Sequence, residues 1–148
     1  LGSSAIASGI DDTTRARSET VYVPTYSHVH THQKVRQALA STLVVHNVDP
    51  KVAITLISVR YHDRDGKLVR HFLTDPTILQ PFQSSSYLTQ ISETEGGVGA
   101  NYIVEWRAAE CALPPVIEAV MIGGSGTHGI SFTTSGRVIA RDGGGACE

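Results

Sequence analysis

The residues best placed to do chemistry are the histidines of His28-Val29-His30-Thr31-His32. Residues two apart on an extended strand share a face at a spacing of roughly 7 Å, so two of these imidazoles could hold one ion. The outer pair would stand roughly 13 Å apart, so a third ligand must come from elsewhere, with His62, Asp63, Asp65 and His71 as candidates. Neutral imidazole suits copper or zinc. The competing reading is three exposed or hydrogen-bonded histidines at the end of a strand, and the brevity of the motif favours it.

Other motifs fail on context. Gly124-Ser125-Gly126-Thr127-His128-Gly129 spells a dinucleotide fingerprint, but a helix must follow to meet the pyrophosphate, and Ile130-Ser131-Phe132-Thr133-Thr134 reads as strand. Gly96-Gly97-Val98-Gly99 lacks the Lys-Ser/Thr continuation of a phosphate loop. Asp63-Arg64-Asp65-Gly66 starts like a calcium loop, yet Leu68 to Thr74 supply no carboxylate, and a hairpin turn explains it. Ser125 lacks the final Gly of a nucleophile elbow. Cys111, beside Glu110, has no neighbouring cation to activate it. Glu105, Glu110 and Glu118 could pair as glycosidase carboxylates, but outward strand positions predict solvation. No nucleophile and base can be matched, and the expectation is a protein that is not an enzyme. Arg60, Arg64 and Arg70 fall on two strands expected to pair, which predicts a cationic hairpin face or local salt bridges.

The elements that must carry these residues are extended. Val and Ile outnumber Leu, Ser and Thr abound, and 14 Gly and six Pro punctuate the chain. About eight strands are predicted, over Thr20–Tyr26, Ala38–Asn47, Ala53–His62, Lys67–Leu73, Tyr87–Ser92, Asn101–Ala108, Val116–Ile122, Ile130–Thr134 and, across Ser135-Gly136, Arg137–Ala140. Leu39, Leu43 and Val45 should share one face, as should Tyr87, Thr89 and Ile91. Tyr102, Val104 and Trp106 alternate with Asn101, Ile103, Glu105 and Arg107, which makes Trp106 the predicted core anchor, with Tyr61 and Phe132 beside it. The one helix-like stretch is His32–Ala40. Short strands with regular turns predict an all-β, two-sheet antiparallel sandwich, immunoglobulin-like in architecture. Residues 1–19 read as an extended arm, 20–141 as the sandwich domain and 142–148 as a C-terminal tail.

At 148 residues the chain fits one domain, and no apolar run approaches the roughly 20 residues of a membrane-spanning helix. Twelve basic against 14 acidic residues leave a net charge of −2, which argues against a nucleic-acid partner. The chain opens on Leu1 rather than Met; removal of a secretory signal would explain this, and so would a start trimmed for expression, with export the expectation. Its two cysteines, Cys111 and Cys147, are too few for a structural zinc cage; they read as a disulfide, or as free thiols in a reducing compartment.

The chain also resembles a known family. Val21-Tyr22-Val23-Pro24-Thr25-Tyr26-Ser27-His28, Asn47-Val48-Asp49-Pro50, Ser58-Val59-Arg60-Tyr61-His62-Asp63, Gly66-Lys67-Leu68-Val69-Arg70, Gly97-Val98-Gly99-Ala100-Asn101-Tyr102-Ile103-Val104, Glu118-Ala119-Val120-Met121-Ile122-Gly123 and Gly129-Ile130-Ser131-Phe132-Thr133 carry the likeness. They are similar to number 3124 in the domain-of-unknown-function series, bacterial exported proteins, over about residues 20–140. The resemblance implies a periplasmic or extracellular location and no activity; of the three histidines only His28 falls within it. The expectation is therefore an exported structural or binding subunit, without cofactor, assembling with itself or a protein partner. The alternative is a periplasmic copper- or zinc-binding protein using His28, His30 and His32.

Overall fold

The computed structural model describes residues 14–125, 128–141 and 147. The ends of the expected arm and tail, and Gly126-Thr127 of the glycine-rich loop, lie outside them. Among the described residues there is no helix, and twelve strands follow one another. They are β1 (Ala16–Tyr26), β2 (His28–His32), β3 (Val35–Ala38), β4 (Ala40–His46), β5 (Ile54–His62), β6 (Leu68–His71), β7 (Thr77–Leu79), β8 (Ser84–Thr89), β9 (Val98–Ala112), β10 (Val116–Ser125), β11 (His128–Ser135) and β12 (Arg137–Arg141).

The protein is all-β and antiparallel. One sheet runs β12-β1-β9-β5-β6, with β7 also on β5; a second runs β11-β10-β4-β8; β2 and β3 form a separate ribbon. Alternation, unbroken on β4 and interrupted by register shifts near Ala16–Ser18 of β1 and Leu56–Ser58 of β5, turns one face of each strand of β1, β4, β5 and the middle of β9 inward, because side chains alternate across a pleated strand. Val21, Val23, Leu39, Leu43, Val45, Leu56, Val59, Tyr61, Tyr102, Val104 and Trp106 are buried in a single cluster drawn from both sheets, with Phe132 partly buried against it.

A polar seam crosses that core. Tyr102 on β9 donates to Ser41 Oγ on β4 at 3.1 Å and shares a 2.7 Å bond with Thr89 on β8. Ser41 in turn meets Thr25 on β1 at 2.7 Å. Burial pushes the Tyr102 phenol above its ordinary range, partly offset by its bonds to Ser41, Thr89 and Thr25. These contacts fix how the two sheets are aligned, since each buried hydroxyl would otherwise be left without a partner.

Several expectations need correction. The N-terminal arm does not extend to residue 19: β1 begins at Ala16, and Ala16 and Glu19 are both buried. Polar composition hid this, because the strand is anchored by pairing with β9 rather than by its own apolar content. The helix-like stretch His32–Ala40 is instead the β2–β3 ribbon and the start of β4. Ile91 does not continue the face of Thr89, because β8 stops at Thr89 and Ile91 is 46% exposed beyond it. The hairpin turn at Asp63–Gly66 forms as predicted: Gly66 takes φ +81°, and Asp63 Oδ1 accepts from the amides of Asp65 and Lys67 at 2.9 Å each.

Candidate functional site at one end of the sandwich

Chemistry-bearing groups converge at the end where β1 begins and β4 finishes. The organiser is the loop after β4. Asn47 Nδ2 donates to the carbonyls of Val52, Leu79 and Gln80 at 3.0–3.1 Å, and Asn47 Oδ1 accepts from Asp49 N. Asp49 is fully buried and accepts from the amides of Lys51, Val52 and Leu113 at 2.8, 2.9 and 2.9 Å. Arg15 closes the set with a 2.8 Å ion pair. Burial by itself would raise the Asp49 pKa; the three amides and the guanidinium overcome it and bring it down to about 2.

This loop pins two features. The first is the turn Gln80-Pro81-Phe82-Gln83, closed by Gln83 N donating to Gln80 O at 2.9 Å. Gln83 Oε1 accepts from Gln80 N at 2.8 Å, and Gln83 O accepts from Asn47 N at 2.9 Å. Pro81 is followed by Phe82 at φ 62°, the place where such a turn prefers glycine. A bulky residue held there costs about 1–3 kcal/mol. Phe82 is nevertheless 72% exposed, so its ring is not repaid by the core of its own chain.

The second feature is a cleft of about 400 Å³ where the two sheets part beside β12 and β11. Val21, Val48, Pro115, Ile117 and Val138 are among its walls. Glu19 and Arg141 also line it, and the Glu19 carboxylate is only 1% exposed. Arg141 Nε donates to Glu19 Oε2 at 2.9 Å and a second guanidinium nitrogen joins on the same oxygen, while Glu19 Oε1 has no partner among the described residues. Parity is the signal that sequence reading passed over, since Glu19 lies in step with inward-facing Val21 and Val23.

The residues singled out from sequence lie elsewhere. His28, His30 and His32 sit on β2 at the far end of β1. His28 and His30 bring their rings edge to face with centroids 5.4 Å apart, but the β2–β3 register shifts between His30 and His32, so the three do not form one regular row. Burial, then Arg36, His30 and Arg64, pushes the His28 pKa down. Neither His62, Asp63, Asp65 nor His71 joins them: among the described residues no three His, Cys, Asp or Glu are gathered as a metal would need.

The expected arginine face is also dispersed. Arg60 pairs across the strands with His71, and Arg70 with Tyr61, so Arg60 and Arg70 fall on opposite faces. Arg60 meets Glu105 at 3.0 Å; Arg70 meets Glu93 at 3.2 Å and lies over the Phe72 ring. Glu105 and Glu118 stand on different sheets, and Glu118 contacts His46 at 3.2 Å. The glycine-rich loop joins β10 to β11, two paired strands, so no helix follows it. Cys111 and Cys147 form a disulfide that ties the chain beyond β12 to the end of β9.

Fold and site together define an all-β protein of packed antiparallel sheets with a polar-floored cleft at one end. The chain belongs to the family described as protein of unknown function (DUF3124), whose model matches residues 18–139. No curated protein matches it. A solved structure titled "Crystal Structure of Thermotoga maritima 1070" is similar at 16% identity and a TM-score of 0.46, over 82% of this chain and 93% of that one. No helix of the described residues is long and apolar enough to cross a membrane.

Proposed function

We propose that this protein is an exported, non-enzymatic subunit that acts by docking on protein, through the end that carries the cleft and Phe82. The observation that carries the reading is the Phe82 turn. An aromatic residue whose backbone is held in a strained conformation by four hydrogen bonds at Gln80 and Gln83, yet whose ring is left in water, is built for an interface, where buried aromatic anchors supply much of the binding energy. The disulfide supports an oxidising compartment, periplasmic or extracellular. Sheet-to-sheet crossings between β4 and β5, β8 and β9, and β9 and β10 support the immunoglobulin-like arrangement of the sandwich.

A photo-crosslinking residue at position 82 tests the docking surface, with position 67 as control, because Lys67 is exposed on the hairpin at the other end. In the bacterial envelope, one discrete crosslinked protein from position 82 and none from 67 is the expected result. No product from 82, or the same smear from both, sinks the reading.

A further inference from the structure

We infer that the partner at this end is a second copy of the chain, with Phe82 of each copy seated in the inter-sheet cleft of the other. The inference rests on the docking role proposed above and names its partner. The fit is one of size and chemistry. A cavity of roughly 150 Å³ with apolar walls takes a benzene ring; this open cleft offers about 400 Å³, its upper walls formed by Val21, Val48, Pro115, Ile117 and Val138 and its floor by the Glu19–Arg141 pair, so a ring would seat against the walls above that floor.

Position supports the same conclusion. Val116 on the cleft rim and Ser84, two residues beyond Phe82, both pair with His46 on β4. Two strand spacings, roughly 10 Å, therefore separate the rim residue Val116 from Ser84, and Phe82 leads into Ser84 from two residues before it. The loop that pins the Phe82 turn through Asn47 also supplies Val48 to the cleft wall. With knob and hole side by side, a two-fold axis between them makes both contacts at once and closes the assembly at a dimer. Charge agrees: exposed Lys51 stands on the loop that pins the knob, and half-exposed Glu118, whose Oε1 contacts His46 at 3.2 Å, lines the hole.

The test is sedimentation of the intact, oxidised protein from about 10 μM to about 1 mM, the range in which a small interface associates. Wild type should pass from monomer to dimer. Phe82→Gly should remain monomeric without loss of thermal stability, and so should the cleft variants Val138→Trp and Val116→Glu, two rim positions chosen so that one folding failure does not decide the matter. An equal mixture of Phe82→Gly with either cleft variant should regain a heterodimer through its one intact contact, at least tenfold weaker than wild type. A dimer that Phe82→Gly leaves unweakened overturns the inference, as does a mixture that stays monomeric. If wild type is monomeric throughout while position 82 still captures a single foreign protein, self-pairing falls and the docking role stands. If position 82 captures nothing and the chain is monomeric, both fall.

Discussion

Three amides and a guanidinium converge on the buried Asp49 carboxylate. A carboxyl with a folded-state pKa of about 2, against an ordinary ~4, is favoured in its ionised form by the fold. The resulting stabilisation, about 2 kcal/mol, is fully present above pH ~4 and is lost as pH falls through 4 towards 2. Asp49→Asn should destabilise the protein by about 3 kcal/mol at pH 7, because one amide oxygen cannot replace two charged ones. Urea unfolding at both pH values should show that penalty shrinking at pH 2; a constant penalty would assign it to packing instead. At His28 and His30, two imidazoles flanked by Arg36 and Arg64 oppose a dication. Dialysed protein should carry no stoichiometric copper or zinc by elemental analysis, and a one-to-one metal content would restore the alternative function.

The β7–β8 connection is where an element departs from its own local preferences. Phe82 occupies a left-handed position that glycine takes without strain, and Asn47 and Gln83 hold it there. Phe82→Gly should therefore raise stability by about 1 kcal/mol, read as a higher melting temperature, despite removing an aromatic ring. A fall in melting temperature would mean that the ring packs on its own chain. On β9, Trp106→Ala should cost about 4 kcal/mol in urea unfolding, since the indole is buried between the sheets. Loss of under about 1 kcal/mol would remove Trp106 as the core anchor.

At the scale of the whole molecule, the disulfide closes a loop with a sequence separation of 36 and binds the end of the six-stranded sheet to the segment after β12. In the chain-entropy description such a crosslink stabilises the fold by about 4 kcal/mol. Reduction, or Cys111→Ser, should lower the urea midpoint accordingly while leaving the core intact. It should also loosen β12, whose Arg141 covers Glu19, so amide exchange ought to rise along β12 and β1 before it rises on β4. Uniform exchange across both sheets would show instead that the crosslink acts on the molecule as one unit.

The core and the longer strands were legible in the chain because burial writes itself as alternation; the short β2, β3 and β7 were not, since they bury too little to carry it. Tyr102, Val104 and Trp106 on β9, and Leu43 and Val45 on β4, fall inward as a period of two requires. The glycine-rich decoy and the hairpin at Gly66 were legible too, since each depends on neighbours in sequence. The candidate site was not. Glu19 meets Arg141 across a sequence separation of 122, and Arg15 and Leu113 reach Asp49 from two other segments. A composition-based reading took Glu19 for part of a polar arm, because only pairing with β9 and β12 makes it a buried floor. Local patterning fixed which residues face inward; the packing of distant strands decided which of them meet, because contact between remote segments depends on register and sheet order that no local window contains.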